Sequence, residues 1–361
     1  MELQSFINQN DKYLDELKKE NVSIRKYTQL GLCIIKTYYN QKYDYEKKPW
    51  LKYCRGAIIN LKTNRLICIP PCKATKEDNN IESIIENYDE SKSYEPLLDG
   101  TMVNMFYHND EWLISTRSNI GGKNSWDGKK SFRELFLEIN GDEWFSELNK
   151  KQSYSFLLVH KKNRNVSFVN LNQIFLIETY EFTESDFHKK AIEDMIGITN
   201  ISCNFKIIKE YLQEYNSNLP FSIKGFTIKT DNERVNYINP NFKYEKSLKM
   251  NYNDKFMNYI LLRQKRLLGE YLTYFPEDSY LFNNYKTNYF LMKKTLYDRY
   301  VSRYIKKEIT NKEIEYPLKP HIINLHNHYK SSGIKINLKI VSDYFHNLDA
   351  KMVKFIQNYL Y

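Results

Sequence analysis

Leu97-Leu98-Asp99-Gly100-Thr101-Met102-Val103-Asn104-Met105-Phe106-Tyr107 is the stretch on which the fold turns. Asp-Gly is a turn signal, and the run after it is rich in residues that suit a half-buried pleated strand. Residues 112–115 supply its partner strand, and His108-Asn109-Asp110 joins the two as a hairpin. Working outward, 56–59 and 66–69 flank a polar turn at 60–64 and make a second hairpin, ended by Pro70-Pro71. Residues 30–39 read as a buried strand, 153–159 and 174–182 as central strands, and 225–229 with 234–238 as a last hairpin turned at Asp231-Asn232. Helices punctuate these strands. Residues 4–19 place Phe6, Tyr13, Leu14 and Leu17 on an amphipathic face, 81–88 is a short helix, and Ser131-Phe132-Arg133-Glu134 is a capping box that opens a helix with Leu135 and Phe136 inward. Ser185-Asp186 caps a further helix to about residue 196, and 207–215 is another. Beyond Phe242 the apolar period becomes 3.6 through 261–272, 289–304, 321–329 and 340–360. The pattern predicts an α+β domain with antiparallel sheets over 1–250 and an all-α C-terminal domain over 251–361, with no low-complexity linker between them.

A chain of 361 residues, 42% hydrophobic, can bury one large core and a smaller one. No apolar run reaches the roughly 20 residues that span a bilayer, and Met1-Glu2-Leu3-Gln4-Ser5 lacks a secretory pattern, so the expectation is a soluble, intracellular protein without a membrane partner. Cys33, Cys54, Cys68, Cys72 and Cys203 are odd in number and scattered, which predicts buried, inert thiols in a reducing compartment. The seven histidines show no zinc spacing. A net charge of +10 favours an anionic partner, of which nucleic acid is the commonest.

Several segments together resemble the RNA ligase branch of the covalent nucleotidyltransferase superfamily. Arg55-Gly56 with Ala57-Ile58-Ile59-Asn60 resembles the segment that precedes the nucleophile in phage-type RNA ligases, and Pro70-Pro71-Cys72-Lys73 the proline-and-lysine segment that follows. Asp99-Gly100-Thr101 matches the end of the KxDG nucleophile motif, and Ile114-Ser115-Thr116-Arg117-Ser118 resembles the next strand. Ser155-Phe156-Leu157-Leu158-Val159 with Asn163-Arg164 resembles motif III, and Lys224-Gly225-Phe226 resembles the EG-aromatic motif IV. The strings at 99–107, 115–122 and 154–160, with Asn239-Pro240-Asn241-Phe242 and 272–277, are similar to an uncharacterised family of giant-virus proteins. That resemblance implies an antiparallel-sheet nucleotidyltransferase domain and a large DNA virus as source, acting in the host cytoplasm or viral factory or packaged in the virion.

The same resemblance implies lost chemistry. Leu97 stands where the attacking lysine belongs, and an aliphatic side chain has no lone pair to form a lysyl-nucleotide. Leu157 replaces the ribose-facing glutamate, and Lys224 replaces a metal-facing glutamate with the opposite charge. The basic pair of motif V falls either within 235–238, where neither residue is basic, or on Lys243 and Lys246. The remnant expected at a nucleotide or phosphate site is Arg55, Lys73, Asp99, Gly100, Arg117, Arg164 and Lys229, with no catalytic residue, metal or cofactor. The leading expectation is a catalytically degenerate RNA ligase-like protein that binds nucleic acid, RNA foremost. ATP and Mg²⁺ enter only under the alternative of an active ligase that uses Lys73, Lys92 or Lys224 instead. A third reading is a structural or assembly protein of a virion or transcription complex that docks a viral partner through its C-terminal helices. Trp112, Trp126 and Trp144 read as core or helix-face residues in preference to base-stacking platforms. Arg299, Arg303 and Lys306 beside Tyr297, Tyr300 and Tyr304 read either as an RNA surface or as a core-facing tyrosine stripe edged by solvated charge, and Arg263, Lys265 and Arg266 are open in the same way.

Overall fold

The computed structural model describes residues 2–38, 41–74, 76–78, 92–126, 128–183, 186–190, 198–200, 210, 219–220, 222–229, 234–250 and 254–361. The helix expected at 81–88, the turn at Asp231-Asn232, Cys203 and nearly all of 207–215 lie outside them. The chain forms two compact units, Met1–Tyr244 and Glu245–Tyr361.

The first unit is layered by strand alternation. Ser23–Tyr27 (β1), Leu32–Lys36 (β2), Arg55–Asn60 (β3) and Arg65–Cys68 (β4) form an antiparallel sheet in that order. Cys33, Ile35, Ala57 and Ile59 on one face pack against Leu3, Ile7, Tyr13 and Leu17 of two N-terminal helices. Leu32, Ile34, Ile58 and Cys68 on the opposite face meet Phe106 and Ile120 of a second sheet. After Lys76–Asp78 (β5) and Ser93–Pro96 (β6), that second sheet is built from Thr101–His108 (β7), Glu111–Thr116 (β8), Asn119–Ile120 (β9), Gln152–Val159 (β10), Gln173–Phe182 (β11), Phe187–Lys190 (β12) and Thr199–Asn200 (β13). Its far face, with Val103, Met105, Phe156 and Leu158, buries Phe132, Leu135 and Phe136 of the helix Phe132–Asn140. A third sheet orders as β5, Arg234–Ile238 (β15), Gly225–Lys229 (β14) and β6.

The expected α+β architecture with antiparallel sheets and a helical C-terminal region is present, and local chemistry explains where elements differ. The helix expected over 4–19 is two, Glu2–Gln9 (α1) and Tyr13–Lys19 (α2), because the Asn10 side-chain amide donates to the Phe6 carbonyl at 2.7 Å and caps the last turn of α1. Asp186 does not cap a helix. Thr183 N donates to Asp186 O at 2.8 Å, and β12 then pairs Phe187 with Phe182 to bury its ring completely. Ser131 caps Phe132–Asn140 (α3) with both reciprocal hydrogen bonds of the capping box. Asn109 and Asp110 both take positive φ, 50° and 62°, the type I′ turn of a tight hairpin. Trp112 and Trp144 are half-buried against the core, whereas Trp126 lies outside it and is 45% exposed. Burial lifts the Cys33 thiol to about 11 and raises those of Cys54 and Cys68 further, so they are inert at neutral pH.

Pro240–Lys249 (α4) leads into the second unit, which contains Lys255–Gln264 (α5), Leu268–Tyr274 (α6), Ser279–Tyr300 (α7), Lys319–Ser332 (α8), Leu338–His346 (α9) and Ala350–Leu360 (α10). Asp254, Asn337 and Asp349 cap α5, α9 and α10 through side-chain oxygens. Its core is aromatic: Tyr259, Tyr271, Phe282, Tyr289 and Phe345 are all buried. Their hydroxyls find partners, as when Tyr271 donates to Asp278, which also accepts from Lys255 at 2.6 Å. Among the described residues no helix is long and apolar enough to cross a membrane.

Candidate nucleotide and phosphate site

Leu97 leaves the end of β6, where its N–H donates to Gly225 O at 2.8 Å and continues the β6–β14 pairing. Gly225 is required there, because at φ +146° a Cβ would stand 2.0 Å from Tyr237 O. The residue before it, Lys224, reaches back so that its ammonium donates to Leu98 O at 3.1 Å. A cation therefore sits one peptide from position 97, while position 97 itself is aliphatic. Beyond the turn, a Cβ on Gly100 would lie 2.7 Å from Leu158 O and 2.8 Å from Leu157 Cγ. Leu157 is buried with Ile177, and Leu98, Met102, Val159 and Phe175 pack around them. Methyl groups fill the place beside Gly100 where a ribose-binding carboxylate was expected to have been lost.

Asp99 is used as an anchor. Its Oδ2 accepts from Val166 N at 2.8 Å and Ser167 N at 3.1 Å, and Asn163 donates to Thr101 Oγ1 at 2.8 Å. These bonds fix the loop that carries Arg164. Arg164 Nε donates to Val166 O, and its guanidinium lies 5.6 Å from the ring of Phe168, which is 65% exposed.

A second group gathers around Arg55 of the first sheet. Gly56, at φ +108°, lets β3 approach the end of β8 so closely that a Cβ would be 2.9 Å from Arg117 Cα. That approach sets Arg55 beside Arg117. Burial, then the charges of Arg117 and Arg234, push the Arg55 guanidinium down to about 10, with Tyr45 and Cys72 opposing. Burial also lowers Arg117, whose terminal nitrogen donates to Thr37 O at 3.1 Å and whose Nε has no partner among the described residues. Lys73 joins the group over the Tyr45 ring at 5.1 Å. Arg234, 3.8 Å from Glu178, was not singled out from the sequence. Its signal was its place directly opposite Lys229 in the last hairpin.

Lys229 is enclosed by carboxylates, one of which, Glu178, it shares with Arg234. It is 4% exposed, with its ammonium 2.5 Å from Glu95 and 3.1 Å from Glu178. Glu178, also missed, is a buried carboxylate in an apolar strand; burial opposes its charge, but Lys229, Lys189, Arg234 and the Tyr180 hydroxyl together hold it below its ordinary range. The structure thus brings together Arg55, Arg117, Arg234 and Lys73 on one side, and Leu97, Leu157, Lys224, Asp99, Gly100 and Arg164 on another. Among the described residues no three side chains of metal-ligating type cluster.

No protein-family model and no curated protein matches the chain. Among solved structures it is similar to a proposed ATP-dependent DNA ligase from Aquifex aeolicus, at 16% identity and TM-score 0.40 over 74% of this chain and 70% of that one. It is also similar to an archaeal ATP-dependent RNA ligase in two forms, each at 12% identity: TM-score 0.47 over 73% and 72% of the two chains, and TM-score 0.46 over 77% and 73%.

Proposed function

We propose that this chain is a catalytically degenerate, ligase-like protein that binds RNA through a basic cluster and forms no lysyl-nucleotide. The observation that carries the reading is the Arg55–Arg117–Arg234 cluster. The charges of Arg117 and Arg234 add to burial in pushing the Arg55 guanidinium down, and no carboxylate acts on Arg55 or Arg117 among the described residues. Like charges held together in a partly buried place need a counter-ion, and a planar guanidinium pairs with phosphate through two parallel hydrogen bonds. The leucines at 97 and 157 support the loss of transfer chemistry, since neither can attack, bind a ribose hydroxyl or ligate a metal. The test is equilibrium binding of labelled RNA across a salt series. Affinity that falls steeply with salt, and falls further in Arg55→Gln, is expected; absent or salt-insensitive binding to RNA and DNA alike sinks the reading.

One observation favours a second reading, an active nucleotidyltransferase with a displaced nucleophile: the Lys224 ammonium at the Leu98 carbonyl. Incubation with radiolabelled ATP or GTP and divalent metal separates the readings, because a labelled protein band lost in Lys224→Ala would install the second. The similarity of the 99–107 and 115–122 strings to giant-virus proteins supports a large DNA virus as source and the host cytoplasm or viral factory as the place of action.

A further inference from the structure

The positive charge of the chain is segregated. Residues 245–361 contain 20 basic and 11 acidic residues, whereas residues 1–244 contain 34 and 33, so the net excess is +9 in the helical unit and +1 in the other. Within the helical unit, residues 319–342 include Lys319, Lys330, Lys335 and Lys339 and no acid. Most of this stretch is α8, and its second half lies against the π-helical turn Val301–Ile305 that extends α7. Such turns recur at functional positions because they displace side chains from the ordinary helical path.

At that turn four rings and two cations converge. The His326 imidazole stacks on Tyr304 at 3.6 Å and 7°, Tyr300 is 5.6 Å from Tyr304, and Tyr329 is 5.9 Å from His326 and 40% exposed. The Arg303 guanidinium lies 5.3 Å from the Tyr304 ring. Burial, then Lys330 and Arg303, lower the His326 pKa, so both cations are close enough to act on one imidazole, and no carboxylate is among the groups that do. The tyrosine and arginine stripe therefore divides in role. Arg299 is bound in a fork to Glu315 at 2.5–3.0 Å and Tyr300 is buried, while Lys306 lies 3.6 Å from Glu308; Arg303, whose Nε donates to the neutral Asn311 Oδ1 at 2.6 Å and so keeps its charge uncompensated by that bond, forms one cationic, aromatic face with Tyr304, His326, Tyr329 and Lys330.

We propose that this face docks an unpaired RNA strand, with a base stacked on Tyr329 and phosphates against Arg303 and Lys330. A stacking ring flanked by fixed cations suits a single strand, because every base has a π-face and every linkage a charge. A duplex offers its phosphates but hides the base faces. The inference rests on the reading that the protein binds RNA, and it adds a second surface, in the helical unit, with its own determinants.

The test uses the full chain, a fluorescein-labelled unstructured RNA and anisotropy titrations at several salt concentrations. Tyr329→Ala is expected to weaken binding roughly tenfold with the slope of log affinity against log salt unchanged, since no charge is removed. Tyr329→Trp keeps the affinity. Arg303→Gln combined with Lys330→Gln lowers the slope by about 1.4, at about 0.7 for each single-strand phosphate. Tyr329 and Lys330 are exposed, and a thermal melt confirms that the variants fold. If all these variants bind as the wild type while Arg55→Gln loses affinity, this inference fails and the reading above survives. A wild-type chain that binds no RNA overturns both, and equal losses for single strand and duplex in Tyr329→Ala overturn the stacking role.

Discussion

A methyl group does not fit at Gly100. Its Cβ would press on the Leu158 carbonyl at 2.7 Å and on Leu157 Cγ at 2.8 Å, and the carbonyl belongs to a central strand that cannot yield. Gly100→Ala is therefore expected to cost about 1–3 kcal/mol of stability, the range for overpacking a filled core, read as a lowered urea midpoint with unchanged slope. An unchanged midpoint would mean that Leu157 turns aside freely and that the place beside Gly100 is open. The same packing would hinder an amine introduced at position 97. Leu97→Lys supplies an amine, but Leu157 still fills the neighbouring space with methyls and Lys224 still places a cation at Leu98 O, so no labelled band is expected with ATP and Mg²⁺. A band from that single substitution would show that only the amine is missing. The absence of an amine at 97 was legible in the sequence, because it depends on residue identity alone. The contact of Leu157 with Gly100, 57 residues away, and the convergence of Arg234 on Arg55 depend on strand pairing, which no local pattern contains.

Elements were legible where turn or cap chemistry is local. The 101–108 and 111–116 hairpin follows from two residues that tolerate positive φ, and α3 from its reciprocal cap. They were misread where a side chain chose a different backbone partner from the expected one, as Asn10 did in donating to the Phe6 carbonyl and Asp186 in accepting from the Phe187 N–H. What joins the sheets was not legible at all. Lys229 of β14 lies between Glu95 of β6 and Glu178 of β11, so one ammonium ties the third sheet to the second. Glu178→Gln leaves Lys229 with a single carboxylate and is expected to cost about 3 kcal/mol at neutral pH, as when one partner of a buried pair is removed. The sign of the pH dependence follows from the lowered Glu178 pKa. A carboxylate held below its unfolded value stabilises the fold at pH above that value, and the contribution disappears as pH falls through the folded pKa. Wild type and Glu178→Gln should thus differ most near neutrality and converge below about pH 4, near the ordinary carboxylate range. Parallel denaturation curves down to pH 3 would contradict the buried ion cluster.

At the scale of the whole molecule the charge distribution separates two kinds of attraction. The first unit is nearly neutral, so any anion drawn to Arg55 and Arg117 would answer to a local cluster and not to a general field; the net excess lies in the helical unit. Composition alone disclosed the total of +10, but not this partition, which needs the unit boundary. The two attractions respond to different probes. Inorganic tripolyphosphate, compared at constant ionic strength with chloride, should raise the thermal midpoint of the first unit saturably, reaching about 2.7 kcal/mol of stabilisation at a hundred times its dissociation constant. In Arg55→Gln that gain should largely vanish, while the variant without added anion should be at least as stable as the wild type, because it removes a buried guanidinium whose charge burial, Arg117 and Arg234 all oppose. The pairing of these two outcomes is what identifies an anion site: a structural arginine would show the reverse, a variant destabilised in plain buffer and a polyphosphate response left intact.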